Sequence, residues 1–247
     1  MDRYLTMTAG DELRVALVHT PPGYQAGIAA PLLIDFHGYG GTSERTQADH
    51  DFDPLADAAR VVTVYPQGLE LDVELTGWYT ISREDQSDDV AYVAQLLDAL
   101  ERQLCVDPDR VWAVGHSVGG GMADYVACEL ADRFTAVAIV AGTFYPRDRC
   151  EPAEPTAILE VHSTTDDVAP YYGRPYFVSV EAWFAAWADR LHCDPDPSDD
   201  GGRVVWNGCD APLEHVRLEG VGHEWISAET ALVWEFLQRA GTRSPEP

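Results

Sequence analysis

The sequence predicts an α/β fold in which helices cover both faces of a mostly parallel, doubly wound sheet. Short runs rich in valine and isoleucine recur along the chain, and such runs are typical of strands buried on both faces. Stretches with apolar residues at helical spacing lie between them, and this alternation is typical of the fold class. The chain has 247 residues, of which 46% are hydrophobic, enough for one large domain with a full core. We therefore expect a single domain over residues 1–247, with a frayed tail at 240–247.

The elements are predicted in chain order. Residues 3–19 indicate a leading antiparallel hairpin. Apolar runs indicate buried strands at 31–36, 61–65, 110–114, 136–140, 157–161 and 215–219. Helical spacing or the absence of proline indicates helices at 90–104, from 120 onward, at 180–191 and at 230–239. Active sites in such sheets gather at the carboxyl ends of the strands, so the residues just after each strand are the candidates for chemistry.

The stretch Gly115-His116-Ser117-Val118-Gly119 lies between a predicted strand and a predicted helix. In that setting Gly-x-Ser-x-Gly is the nucleophile elbow of α/β-hydrolases, in which the serine lies on a sharp, strained turn. Small residues let strand and helix approach closely, and the helix N-terminus favours negative charge near the serine oxygen. The other interpretation is a turn whose serine merely caps the helix. The elbow interpretation refines the fold to an α/β-hydrolase and makes Ser117 the candidate nucleophile.

A serine nucleophile needs a base to take its proton and an acid to hold the base in the right tautomer. In α/β-hydrolases the chain order is serine, acid, histidine. After the strand at 157–161, Asp166 or Asp167 can serve as the acid, although either could instead only cap a turn. His223 follows a glycine pair late in the chain, where the base must lie.

The charge that develops in the transition state needs two backbone donors. In this fold they are the N–H after the nucleophile and an N–H from the loop after an early strand. Val118 supplies the first. The glycine-rich loop 37–41 ends the strand at 31–36, so we predict that Tyr39 supplies the second. The alternative is an ordinary glycine turn.

Aromatic residues near the predicted site could bind substrate. We predict that Trp78, Tyr171 and Trp225 line the cleft as a hydrophobic platform for an acyl or aryl group, with packing in the core as the equal alternative. The short stretch at 142–155 leaves little room for a lid, which favours an open cleft.

The charge balance excludes some partners. The chain carries 42 acidic and 16 basic residues, all of the latter arginine, for a net charge of −26. This argues against nucleic acid and anionic membranes, which need basic patches. Self-repulsion is screened by salt, so we hypothesise adaptation to concentrated salt, with a merely acidic surface as the alternative. No apolar stretch is long enough to span a membrane.

The cysteines and the N-terminus bear on the compartment. The first residues lack the apolar core of a signal peptide, so the chain is either cytoplasmic as written or has lost a leader. Cys193 and Cys209 flank a polar loop and could close it, and Cys105 and Cys128 could meet, which leaves one thiol over. The five cysteines fit neither zinc nor redox spacing. We predict no metal and no cofactor.

Further motifs are shared with one family, and they lie at residues 31–41, 64–68, 87–90, 106–111, 127–134, 140–142 and 220–225. Together with the elbow they resemble the polyhydroxybutyrate depolymerase and feruloyl-esterase group of secreted α/β-hydrolases. The resemblance implies a triad of Ser117, Asp166 and His223, because Asp166 falls where the family has its acid. It also implies a disulfide between Cys193 and Cys209, and secretion.

This sequence departs from the family pattern at the elbow, where Val118 replaces the usual asparagine, and at Ser163, where glycine is usual. A backbone N–H survives at Val118, so the departures bear on the substrate rather than on catalysis.

The resemblance implies a serine carboxylesterase that hydrolyses short-chain or aryl carboxylic esters through an acyl-enzyme on Ser117. Its partner would be a small or oligomeric ester, of the polyhydroxybutyrate-oligomer or the feruloyl or acetyl type. The alternatives are a serine peptidase of the same fold and a catalytically silent binding protein on a hydrolase scaffold.

Overall fold

The apolar runs of the sequence form the centre of a large sheet. A computed structural model describes residues 1–72, 75–79, 86–146 and 150–242 of the chain. Its strands are β1 (Asp2–Ala9), β2 (Glu12–His19), β3 (Ala30–Phe36), β4 (Val62–Pro66), β5 (Leu69–Asp72), β6 (Leu75–Gly77), β7 (Val106–His116), β8 (Ala136–Val140), β9 (Ala157–Ser163), β10 (Ser198–Asp199), β11 (Arg203–Trp206) and β12 (Leu213–Leu218). Its helices are α1 (Ser43–His50), α2 (Asp53–Ala59), α3 (Gln86–Gln103), α4 (Val118–Glu129), α5 (Val180–Arg190) and α6 (Ser227–Ala240).

Ten strands form the main sheet in the order β1-β2-β4-β3-β7-β8-β9-β12-β11-β10. The six central strands, β4 to β12 in that order, pair in parallel. The strands at both ends pair antiparallel, including the predicted β1–β2 hairpin. The prediction of a mostly parallel α/β sheet is therefore confirmed.

Helices cover both faces of this sheet. On one face, apolar side chains of α3, α4 and α5 pack on the strands, with Leu96, Val126 and Phe184 fully or almost fully buried. On the other face α2 and α6 pack, with Ala56 and Phe236 fully buried. Two separate hydrophobic cores result, as a doubly wound sheet requires.

The longest central strand differs from its prediction. β7 begins at Val106, although the apolar run begins only after Arg110. Pro108 has no N–H to donate to a ladder, and the β3–β7 register shifts between Ala30 and Leu32. The apolar pattern of the sequence therefore does not predict the first residues of β7.

The disulfides correct one of the two predicted pairings. Cys193 bonds to Cys209, as the resemblance implies. The suggested pairing of Cys105 with Cys128 is wrong, because Cys128 bonds to Cys150 instead. Cys105 is the free thiol, and its carbonyl accepts from the N–H of Ala30 beside the start of β3.

Three further features bear on the predictions. Between β8 and β9, the described residues 141–146 and 150–156 contain no helix that could serve as a lid.

α6 ends at Ala240, and residues 243–247 of the predicted frayed tail lie outside the described residues. In the part of the chain that the structure describes, no helix combines the length and hydropathy of a transmembrane span.

Candidate active site

Ser117 lies on a strained turn between β7 and α4. Its φ of 57° and ψ of −120° are uncommon for a residue with a side chain. Two glycines make the turn possible: a Cβ on Gly115 would lie 2.0 Å from the carbonyl oxygen of Gly119, and one on Gly119 would lie 2.1 Å from that of Phe36. The strand and the helix therefore cross with no room for side chains, which is the packing of a nucleophile elbow.

The structure brings Ser117, His223 and Asp166 into one hydrogen-bonded row. His223 Nε2 lies 2.8 Å from Ser117 Oγ, and His223 Nδ1 lies 2.7 Å from Asp166 Oδ2. Asp166 accepts at Nδ1, so that nitrogen carries the proton and Nε2 is left to accept from the serine hydroxyl. Ser117 is 7% exposed and Asp166 is buried, while His223 is half-buried between them.

Asp166 is held by the loop that follows β9. Its Oδ1 accepts from the N–H groups of Val168 and Ala169 at 2.9 and 2.8 Å, which leaves Oδ2 for His223. Burial opposes ionisation, but hydrogen bonds from His162 and His223 hold the pKa of Asp166 well below its usual range. Asp167, the other candidate acid, is exposed. The carboxylate that faces His223 is therefore that of Asp166.

His116, the second residue of the elbow, supports the loop that carries the base. Its Nε2 lies 2.7 Å from the carbonyl oxygen of His223. Burial, with His223 and His50 nearby, lowers the pKa of His116 to about 3, so the ring is neutral and donates its Nε2–H to that carbonyl. Sequence reasoning gave this residue no role. Its place in the elbow, one residue before the serine, was the available signal.

The two predicted oxyanion donors are the backbone N–H groups of Val118, directly after Ser117, and of Tyr39, in the loop after β3. Val118 is the first residue of α4, so its N–H has no acceptor within the helix. Tyr39 follows Gly38, on which a Cβ would lie 3.4 Å from Ser117 Cβ. Within the described residues, neither N–H has a hydrogen-bond acceptor. Both are therefore available to an oxyanion.

The loop at 37–41 is fixed from several sides. His37 donates Nδ1–H to the carbonyl of Gly38 and accepts the N–H of Gly68 at Nε2. The Gly40 N–H donates to the carbonyl of Thr76 on β6, which joins the loop to the β5–β6 hairpin. This hairpin, which the sequence reading missed, supports the loop that carries Tyr39.

Trp78 belongs to this support and does not line the cleft. It is 0% exposed, and its indole N–H donates to the carbonyl of His37 at 2.9 Å. The prediction that Trp78 contacts the substrate is therefore wrong. A tryptophan after a hairpin strand offers no signal that separates the two roles.

Tyr171 is also a buried residue. It is 4% exposed, and its hydroxyl lies 3.0 Å from His215 Nε2. Packing against His162 and His215 holds the ring in the core. The prediction that Tyr171 contacts the substrate is likewise wrong.

Trp225 does lie at the cavity beside the triad. The cavity has a volume of about 610 Å³, and its wall includes Tyr39, His223, Trp225 and Val168. The Trp225 ring stacks on His50 at a centroid distance of 3.7 Å, which fixes its orientation. Arg45 and Asp49 of α1 pair with each other and lie at the same wall. Helix α1 was not predicted, so these residues were missed.

Among the residues that the structure describes, one group of side chains could be considered for a metal. Ligand atoms of Asp2, His19 and Asp53 lie within 4.8 Å of one another, on the hairpin and on α2 rather than at the triad. Hydrogen bonds to Asp2 and Asp57 already occupy both ring nitrogens of His19. The group is accounted for as an ionic contact between elements.

The fold and the hydrogen-bonded row define an α/β-hydrolase with a Ser-His-Asp arrangement at the carboxyl edge of its sheet. The chain belongs to the Esterase family, whose sequence profile matches residues 8–200.

Relatives of known name agree with this assignment. The chain is 28% identical over 244 residues to feruloyl esterase B of Piromyces equi, a match that covers 92% of this chain and 45% of that protein. It is 27% identical over 224 residues to the bifunctional acetylxylan esterase/xylanase XynS20E of Neocallimastix patriciarum, covering 85% of this chain and 31% of that protein. The chain therefore spans less than half the length of these two relatives. The feruloyl-esterase side of the predicted resemblance is confirmed, and the polyhydroxybutyrate side stays a prediction.

A solved structure agrees with the fold. The acetyl xylan esterase from Aspergillus awamori superposes with a TM-score of 0.70 at 13% identity, over 95% of this chain and 99% of that one. At this identity the likeness concerns the fold alone, and it confirms the prediction of an α/β-hydrolase.

Proposed function

We propose that this protein is a serine carboxylesterase that hydrolyses short-chain or aryl carboxylic esters through an acyl-enzyme on Ser117. The observation that carries the proposal is the row from Ser117 Oγ through His223 to Asp166, at 2.8 and 2.7 Å, beside two available backbone N–H groups. Membership of the Esterase family supports the same reaction class.

The first half of the reaction forms the acyl-enzyme. His223 Nε2 takes the proton from Ser117 as Oγ attacks the ester carbonyl carbon. The N–H groups of Val118 and Tyr39 donate to the oxyanion, and the Asp166 carboxylate stabilises the imidazolium. The carbon–oxygen bond to the alcohol then breaks, and His223 gives its proton to the departing oxygen.

The second half repeats these steps with water. His223 takes a proton from a water molecule, whose oxygen attacks the acyl carbon. The oxyanion forms again between Val118 and Tyr39, and its collapse breaks the bond to Ser117 Oγ. The carboxylic acid leaves, and the serine regains its proton from His223.

The lining of the cavity favours esters with a flat or short acyl group as substrates. Tyr39 and Trp225 offer aromatic surface beside the triad, Tyr39 being half exposed and Val168 adding an exposed apolar side chain. Feruloyl and acetyl esters have acyl groups that could pack against these side chains. The two relatives described above are named as a feruloyl esterase and an acetylxylan esterase/xylanase. Oligomeric hydroxyalkanoates are a further member of the proposed substrate class.

The test is hydrolysis of p-nitrophenyl acetate, butyrate and octanoate and of methyl ferulate, by the wild type and by Ser117→Ala. Loss of the nucleophile should lower kcat by roughly 10,000-fold or more while the fold is kept. Ser198→Ala is the matched control, because it removes a hydroxyl from an exposed serine. A folded wild type that cleaves none of these esters would contradict the proposal and favour a peptidase or a silent scaffold.

A further inference from the structure

A row of buried polar side chains continues from Asp166 into the core. His162 Nε2 lies 3.4 Å from Asp166 Oδ2, and His162 Nδ1 lies 2.6 Å from Glu160 Oε1. Glu160 Oε2 lies 2.8 Å from His215 Nδ1, and His215 Nε2 lies 3.0 Å from the hydroxyl of Tyr171. The proposed mechanism uses none of the groups beyond Asp166.

The surroundings of His162 define its charge. Its Nδ1 faces the Glu160 carboxylate, and its Nε2 faces the carbonyl oxygen of Ala169 at 2.7 Å as well as Asp166. With Glu160 ionised, all of these groups accept hydrogen bonds, and both ring nitrogens then carry protons. Burial disfavours the charge, but Glu160 and Asp166 outweigh it and raise the pKa of His162 to about 10. The same contacts with His162 and His215 hold the pKa of Glu160 below its usual value despite burial.

Stability alone is a poor reason for this arrangement. The His162 and Glu160 side chains are 1% and 0% exposed, and a buried ion pair often contributes less stability than apolar residues of similar volume. The location of the His162–Glu160 pair suggests another role. The His162 imidazolium faces Asp166 Oδ2, the same oxygen that accepts from His223. Glu160 balances the charge, so the cation can exist in the core.

We propose that His162 is a positioning residue of the active site, a buried imidazolium with Glu160 as counter-ion that orients Asp166 Oδ2 and favours the free-base form of His223. The inference rests on the proposed esterase function. A positive charge beside Asp166 opposes a second positive charge on His223, so the base is ready at lower pH.

Other ionisable groups lie near the His162–Glu160 pair on the neighbouring elements. They include His215 and Arg217 on β12, Tyr171 in the loop after β9 and Glu229 on α6. His215 Nδ1 faces both the backbone carbonyl and the side-chain carboxylate of Glu160, and its Nε2 faces the hydroxyl of Tyr171. Arg217 is paired with Asp199. Burial raises the pKa of Glu229 to about 7, so its own titration falls in the pH range of interest. The test therefore includes a Glu229→Gln background, in which that titration is absent.

The first measurement is the pH dependence of kcat/KM for His162→Gln. The variant removes the cation and leaves Glu160 uncompensated, and both changes favour a proton on His223. We expect the acid limb of the pH–rate profile to move to higher pH by roughly one pH unit. Loss of the contact that orients Asp166 should also lower kcat more than it changes KM. His192→Gln is the matched control, because this exposed histidine is also paired with a carboxylate, that of Asp210. A folded His162→Gln protein with an unmoved acid limb would overturn the proposal.

The second measurement needs no activity. Ring ¹⁵N NMR of the wild type, with the His162 ring assigned through its couplings to its own backbone, should show both of its nitrogens protonated from mildly acidic to mildly alkaline pH. The low-field proton on His223 Nδ1 should shift in His162→Gln. A neutral His162 at pH 7 would refute the proposal even if the variant does not fold. If the wild type cleaves no ester, the proposed function fails while these spectra still decide the role of His162.

Discussion

At the scale of single residues, Asp166 links the loop after β9 to the base. Two backbone N–H groups hold its Oδ1, and His223 and His162 face its Oδ2. This leaves the carboxylate one orientation, and that orientation defines the tautomer of His223. The adjacent Asp167 has the same chemistry in an exposed setting.

This pair of aspartates gives a direct prediction. Asp166→Asn should lower kcat by about 10,000-fold, because an amide can donate to Nδ1 and so favour the tautomer that cannot accept from Ser117. Asp167→Asn should keep the wild-type rate. Steady-state kinetics on p-nitrophenyl butyrate checks both, and equal losses in the two variants would refute the role given to Asp166.

The residues also show what chain order can and cannot predict. Ser117 and His223 were predictable because each follows a strand of the sheet, in the order that the fold requires. Chain order left the acid open between Asp166 and Asp167, and only the family resemblance selected Asp166. Trp78 and Tyr171 were not predictable, since an aromatic side chain in a loop has the same pattern whether it faces solvent or the core. Their burial depends on contacts with His37 and His215, which no local pattern reveals.

At the scale of elements, the crossing of β7 and α4 positions the nucleophile. A Cβ on Gly119 would lie 2.1 Å from the carbonyl oxygen of Phe36 and 2.5 Å from that of His37. These are backbone atoms of β3 and of the loop that carries Tyr39, so they cannot move without displacing a proposed oxyanion donor.

Gly119→Ala should therefore reduce both stability and activity. Overpacking of this kind costs roughly 1–3 kcal/mol, which corresponds to a lower Tm. Gly202→Ala is the control, because a Cβ there meets nothing within 4 Å. Thermal denaturation and kcat/KM are the measurements. An unchanged Tm and rate in Gly119→Ala would show that the elbow tolerates a side chain.

The elements that the sequence predicted are those with a strong apolar pattern. The central strands and α3, α5 and α6 bury continuous or periodic apolar residues. Helix α1 escaped prediction because its buried side chains are polar: Ser43, Thr46 and His50. The β5–β6 hairpin is short, and its partners lie in the loop at 37–41 rather than in the core. These two elements form much of the surroundings of the cavity, so its wall was the least predictable part of the site.

At the scale of the whole molecule, the dominant electrostatic feature is the net charge of −26. Like charges at this density repel each other, and dissolved ions screen the repulsion. The salt-adaptation hypothesis thus concerns the entire surface rather than any single ion pair.

The hypothesis predicts that Tm rises between low and molar potassium chloride. Salt screens the charge repulsion of the folded state, whereas the unfolded chain has already reduced its repulsion by expanding. Thermal denaturation across the salt series is the measurement, with sorbitol of equal osmolality as an uncharged control. A Tm that stays level or falls with salt would favour a merely acidic surface.

The most direct test of the central claim is covalent labelling of the folded protein with a fluorophosphonate, read by intact mass and peptide mapping. The reagent phosphonylates a serine that a neighbouring base has activated, with loss of fluoride. The account predicts a single adduct on Ser117, and none on Ser117→Ala or on a protein unfolded before labelling. A folded wild type that stays unlabelled, or that carries its adduct on another residue, would contradict it.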